Sequence, residues 1–171
     1  MTRRTVLAVA SAVVAGIVAA AVWGTSDEPS APPRGVEEVV VERVVDGDTV
    51  VLSDGERVRV LGIDTPEAAR DGRPAECGAD DATRAARRLV EGQVVRLRPD
   101  PGQADRDDFD RLLRYVETRA GQDLGLTLVS DGHARVFAPR GDVARQSTLE
   151  RAEATARGRG AGLWACRGGP R

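Results

Sequence analysis

Between Val36 and Ile63 three Val-rich segments alternate with two short turn sequences, and no other feature restricts the fold as strongly. Val36–Val45 reads as a strand and Asp46-Gly47-Asp48 as a turn. Thr49–Leu52 is a second strand, and Ser53-Asp54-Gly55-Glu56 is a hairpin turn with the Asp-Gly signature. Arg57–Ile63 alternates Arg-Val-Arg-Val-Leu-Gly-Ile, a third strand. The loop from Pro66 to Gly78 precedes a helix with apolar positions Ala82, Ala85, Ala86, Leu89 and Val90, capped by Asp80 or Asp81 and ended by Gly92. Gln93–Arg98 and Leu112–Glu117 are a fourth and a fifth strand, flanking a polar, Asp-rich loop. Asp123 caps a short helix through Val129, and His133–Phe137 is extended. Asp142 caps a last helix through about Arg157, with Trp164 plugging the core beside it. Five short strands with about three helices between them predict an α+β fold built on an OB-type five-stranded Greek-key β-barrel.

Ahead of that domain, residues 1–26 read as a signal peptide or an N-terminal membrane anchor. Arg3 and Arg4 precede Thr5–Trp23, a hydrophobic helical run of 19 uncharged residues. Its length lies between that of a cleaved leader and a spanning helix, so both readings stand, and membrane attachment through residues 5–23 goes with the second. Either way the positive end stays inside and the rest is exported, secreted or tethered to the outer face of the cytoplasmic membrane. Residues 27–35 are a Pro-rich linker, and residues 36–171 form the domain, expected to be a monomer. In an oxidising compartment the two cysteines, Cys77 and Cys166, are expected to form a disulfide.

Composition removes several kinds of chemistry. All 25 basic residues are Arg, so no lysine is present for a P-loop or a Schiff base. One His and two Cys cannot build a four-ligand zinc site from those residues alone. Without Arg3 and Arg4 the 25 basic residues become 23, against 27 acidic ones, a net charge of −4. Nucleic-acid binding must then come from local arginine placement rather than from an overall positive field.

Three pieces supply that placement: Asp46-Gly47-Asp48-Thr49, Arg59 with Ile63-Asp64-Thr65-Pro66-Glu67, and Asp107-Asp108-Phe109-Asp110-Arg111. Asp48 and Asp64 are hard oxygen donors on neighbouring strands, suited to share a Ca²⁺ or Mg²⁺ ion with a backbone carbonyl and water. Glu67, after a proline that stiffens its turn, can orient or deprotonate water. Arg59 and Arg111 can grip phosphate oxygens and stabilise five-coordinate phosphorus.

Taken together, Val44–Val50, Arg59–Glu67, Asp107–Tyr115 and the closing Ala161-Gly-Leu-Trp164 resemble the signatures of the thermonuclease (staphylococcal-nuclease-like) family. The resemblance spans roughly Val36 to Trp164. It implies Ca²⁺-dependent cleavage of DNA and RNA to 3′-phosphate ends. It implies Asp48 and Asp64 as Ca²⁺ ligands, with the Thr65 carbonyl, Glu67 acting on the attacking water, and Arg59 and Arg111 on the phosphate. Phe109 stands where the family usually has Tyr, and Asp110 where it usually has Gly; Phe137 is the residue left to stack a base. The competing reading is a non-catalytic OB-type module that binds nucleic acid or protein at the cell envelope.

Overall fold

The computed structural model describes residues 35–69 and 72–166. The leader over 1–26, with its hydrophobic helix, and the linker through residue 34 lie outside the described residues. Among the described residues no helix is long and apolar enough to cross a membrane.

Seven strands and three helices follow the chain: β1 Glu37–Val44, β2 Thr49–Leu52, β3 Arg57–Val60, β4 Ile63–Asp64, α1 Ala79–Val90, β5 Val94–Arg98, β6 Leu112–Thr118, α2 Leu124–Ser130, β7 Arg135–Val136 and α3 Gln146–Gly158. A 3-10 turn, Gly162–Ala165, ends the described chain. Five strands close a barrel in the order β1-β2-β3-β6-β5. β3 and β6 run parallel, and the other barrel pairs are antiparallel. β1 serves two neighbours: Glu37–Val40 pair with β5, and Val41–Val44 with β2. An irregularity between Val41 and Arg43 bends the strand where it changes partner, as a bulge does at a barrel corner.

The barrel is filled by aliphatic side chains, among them Val41, Val50, Leu52, Val58, Val95, Leu97 and Val116, all fully buried. Tyr115 is the one aromatic in the core among the described residues. α1 lays a narrow Ala face, Ala79, Ala82 and Ala86, against the protein, which lets its backbone come close. α2 packs between β6 and α3. The expected Cys77–Cys166 bridge is present, with a Cα–Cα separation of 6.1 Å.

Four local expectations are corrected. The strand expected over Arg57–Ile63 breaks after Val60, because Gly62 turns at φ 78° and a Cβ there would meet Leu149 and Val143. Ile63–Asp64 leaves the barrel to pair with β7. α1 starts at Ala79 after Gly78, so Asp80 and Asp81 sit in its first turn, facing the positive helix end, rather than at the cap. α3 starts at Gln146 after Arg145, not at Asp142, because the buried Val143 ties the preceding turn to the core. At the C-terminal end Leu163 is the buried plug; Trp164 is half-buried, with the Arg157 guanidinium 4.4 Å over its ring.

Candidate active site

Asp48 sits in the turn between β1 and β2 and is 6% exposed. One carboxylate oxygen accepts the Thr65 N–H at 2.8 Å and the Thr65 hydroxyl at 2.9 Å. The other accepts the Thr49 hydroxyl at 3.1 Å and lies 3.2 Å from Arg59 Nε. Burial pushes the Asp48 carboxyl above its usual range; Arg59 and the two Thr65 donors pull the other way. Arg59, on β3, is the central piece. Its Nη1 donates to the carbonyls of Val60 and Ile63, at 2.8 and 2.7 Å, so the guanidinium itself holds the turn that releases β4. Its Nη2 donates to Asp64 Oδ1 at 3.1 Å. Asp48 and Asp64 therefore meet through one guanidinium. The second oxygen of Asp64 is held from the opposite strand by Arg135, at 2.8 Å from Nη2.

Arg111 enters just before β6. Asp107 fixes it three ways: Oδ1 accepts the Arg111 backbone N–H at 3.0 Å, and Oδ2 accepts Nε and pairs with Nη2, each at 2.7 Å. Asp107 Oδ1 also accepts the Phe109 N–H, closing the loop on itself. Arg111 Nη1 reaches the Thr49 hydroxyl at 3.4 Å, so Thr49 touches both the Asp48 and the Arg111 groups. Burial acts to raise the Asp107 carboxyl, but the donors of Arg111 and Phe109 outweigh it and hold it below its usual range. Glu67 differs from the rest. Its backbone is pinned to Glu76, yet its carboxylate is exposed and has no partner among the described residues.

One cleft of about 350 Å³ is lined by Asp48, Arg59, Asp64, Glu67 and Arg111, with Phe109 and Phe137 on its walls. Both phenylalanines are exposed, Phe109 at 74%, with the Arg111 guanidinium 5.3 Å over its ring. Residues from four separate stretches of chain thus face one space. A family model described as "Staphylococcal nuclease homologue" matches residues 57–166.

The chain belongs to the staphylococcal nuclease homologue family. It is 32% identical over 145 residues to a thermonuclease of Staphylococcus intermedius, covering 82% of this chain and 83% of that protein. It is 31% identical over 128 residues to a thermonuclease of Staphylococcus hyicus, covering 72% and 73%. Over 101 residues it is 36% identical to the endonuclease YncB of Bacillus subtilis, covering 57% of this chain and 47% of that protein.

In this staphylococcal nuclease homologue the donors suit a hard divalent cation. Asp48 and Asp64 are both carboxylates, and Asp48 is buried where a bare anion is costly. Here the positive charge between them comes from Arg59. Among the described residues no three acids, histidines or cysteines gather closely enough to hold a metal. An ion would therefore rest on two side chains, with backbone oxygen and water completing its shell. Thr65 does not line the cleft; it lies beneath, holding Asp48. Sequence reasoning singled out neither Asp107 nor Arg135 for a role. Asp107 stood inside a motif, but its hold on Arg111 depends on a turn, and the meeting of Arg135 with Asp64 depends on the β4–β7 pairing.

Proposed function

We propose that this protein is an exported, Ca²⁺-dependent nuclease that hydrolyses phosphodiester bonds of DNA and RNA to 3′-phosphate ends. The observation that carries this is the Glu67 carboxylate, without a partner among the described residues, sharing a cleft with Arg59 and Arg111, each held by carboxylates. A carboxylate without a partner can take a proton, and guanidiniums already fixed in place cost little reorganisation when charge develops. The two staphylococcal relatives named thermonucleases support the same reaction class. Export rests on the sequence of residues 1–26 and on the disulfide.

Ca²⁺ held by Asp48 and Asp64, with water completing its shell, would offset phosphate charge as a Lewis acid. The cleft needs such a charge, because six carboxylates and four guanidiniums line it. Glu67 orients a water molecule and accepts its proton. The water oxygen forms a bond to phosphorus, the bond from phosphorus to the 5′-oxygen breaks, that oxygen takes a proton from solvent to leave as a hydroxyl, and the phosphate stays on the 3′ side. Arg59 uses three of its four Nη hydrogens internally, leaving one Nη2 hydrogen for a phosphate oxygen. Arg111 grips the same phosphate through the edge that Asp107 leaves free. Phe109 and Phe137 stack the flanking bases.

The full chain with Ca²⁺ is expected to shorten single-stranded DNA and RNA, and EDTA to stop it. Glu67→Gln is expected to lower kcat by about 10²- to 10⁴-fold with thermal stability unchanged, since the side chain is exposed and has no partner among the described residues. Full activity in EDTA removes the metal from the scheme. Binding without cleavage under all divalent ions leaves the non-catalytic module.

A further inference from the structure

We propose that Arg57 binds the phosphate one nucleotide away from the scissile one, so that the substrate footprint runs along β3. This rests on the nuclease reading and adds a second phosphate position to it.

β3 alternates Arg57, Val58, Arg59, Val60, with the valines buried and the arginines on the outer face. Residues two apart on one face of a strand are separated by about 7 Å. That is the reach of one nucleotide in an extended single strand, so two guanidiniums at this spacing can meet successive phosphates. Arg57 lines the same cleft as Arg59 and Arg111.

What sets it apart is charge. Each of the other three cleft arginines is bound by acids: Arg59 by Asp48 and Asp64, Arg111 by Asp107, Arg140 by Asp108. The carboxylate next to Arg57 in sequence, Glu56, is taken by Arg106 at 2.7 Å. Arg57 is exposed, and its guanidinium has no ion-pair or hydrogen-bond partner among the described residues. An unpaired guanidinium in a cleft with excess carboxylate performs no internal task. Among the described residues it is the one cleft cation whose whole guanidinium is open to a phosphate, where Arg59 and Arg111 offer only the hydrogens that their acids leave over. A planar guanidinium also suits two phosphate oxygens at once.

The test is steady-state cleavage by the full chain with Ca²⁺, using a dinucleotide with one phosphate and a single-stranded oligonucleotide. Arg57→Gln is expected to raise KM for the oligonucleotide roughly fivefold with little change in kcat, and to shift KM for the dinucleotide far less. The slope of log KM against log salt for the oligonucleotide should become shallower by about 0.7, the change expected when one phosphate fewer is neutralised. Arg57→Lys should recover most of the KM. Unchanged KM and salt slope on the oligonucleotide overturn the proposal, as does an equal loss on both substrates. If the wild-type chain cleaves neither substrate, the nuclease reading fails separately. Fluorescence anisotropy of a labelled oligonucleotide on wild type and Arg57→Gln then decides whether Arg57 meets a phosphate: equal affinities overturn it, and weaker, less salt-sensitive binding by the variant supports it.

Discussion

A guanidinium serves a phosphate best when its own position is settled beforehand, and for Arg111 in its proposed role that task falls to Asp107. Asp107→Asn keeps the shape but removes the charge and one acceptor, so Arg111 loses its anchor on the Nε side. kcat/KM is expected to fall about tenfold, some 1.4 kcal/mol of transition-state stabilisation, while the unfolding midpoint moves little. Kinetics beside a urea titration checks it; an unchanged kcat/KM would show that Arg111 holds its place alone. Gly47 shows how far a single position can be read. The sequence marks it as a turn residue. Only the structure shows that a Cβ there would lie 2.6 Å from Thr65 Cγ2 and 3.0 Å from Ala82, so the turn is also where α1 approaches the residue that holds Asp48. Asp110 takes φ 59°, the conformation a glycine would adopt without strain, so its place before Arg111 keeps a glycine-like backbone with a charged side chain.

Among the elements, α2 follows its sequence signal closely and α3 does not. Asp123 caps α2 by accepting the Leu126 N–H at 2.9 Å. The same carboxylate pairs with Arg145, the residue before α3, so one acid fixes the starts of two helices that pack together. Asp123→Ala should cost at least the ~1 kcal/mol of a missing cap, and more because Arg145 loses a partner. Asp123→Asn keeps the cap and should recover part of it; chemical denaturation of both variants separates the two contributions. α3 could not be started correctly from sequence, because Asp142 offers good cap chemistry but lies on the exposed side of a turn that Val143 ties to the core. The end of the chain needs two glycines for a nonlocal reason. A Cβ on Gly132 would lie 2.3 Å from the Ala161 carbonyl oxygen, and one on Gly162 would lie 2.2 Å from the Gly132 oxygen. The two backbones pass side by side after α2 and after α3.

At the scale of the whole molecule, two ties hold distant parts together. The Cys77–Cys166 bridge spans 89 residues and joins the start of α1 to the C-terminal turn. A loop of that length is worth about 4.6 kcal/mol in the chain-entropy model. Cys77→Ser with Cys166→Ser, or reduction, should lower stability by an amount of that order, read from the denaturant midpoint. The second tie is a polar network. Tyr115, in the barrel wall, donates its hydroxyl to Asp100 at 2.5 Å, and Asp100 accepts the Ala144 N–H at 2.7 Å. Arg145 stacks over Tyr115 at 4.1 Å and pairs with Glu117, which Arg98 also holds. Burial acts to raise Asp100 and Glu117. Tyr115 and the backbone N–H groups for Asp100, and Arg98 and Arg145 for Glu117, outweigh it and hold both carboxyls below their usual ranges. Carboxyls with depressed folded-state pKa values contribute stability that is complete above the unfolded values, about 3.9 and 4.3, and is lost as pH falls through the folded ones. Stability should therefore decline below about pH 5, and Glu117→Gln should flatten that decline; equal acid profiles for variant and wild type would remove Glu117 from it.

Local chemistry written in the chain specified the strands of the barrel, the turn glycines, the α2 cap and the identity of the acids and arginines. Alternation, turn residues and capping act between near neighbours, so they are legible one segment at a time. Three things waited for the tertiary structure: the parallel β3–β6 pairing, the return of β1 to β5, and the grouping of Asp48, Arg59, Asp64, Glu67 and Arg111 around one cleft. Each joins residues far apart in the chain. Such pairings form only when burial of the shared core outweighs the entropy of closing the loops between them, a balance that no single segment carries.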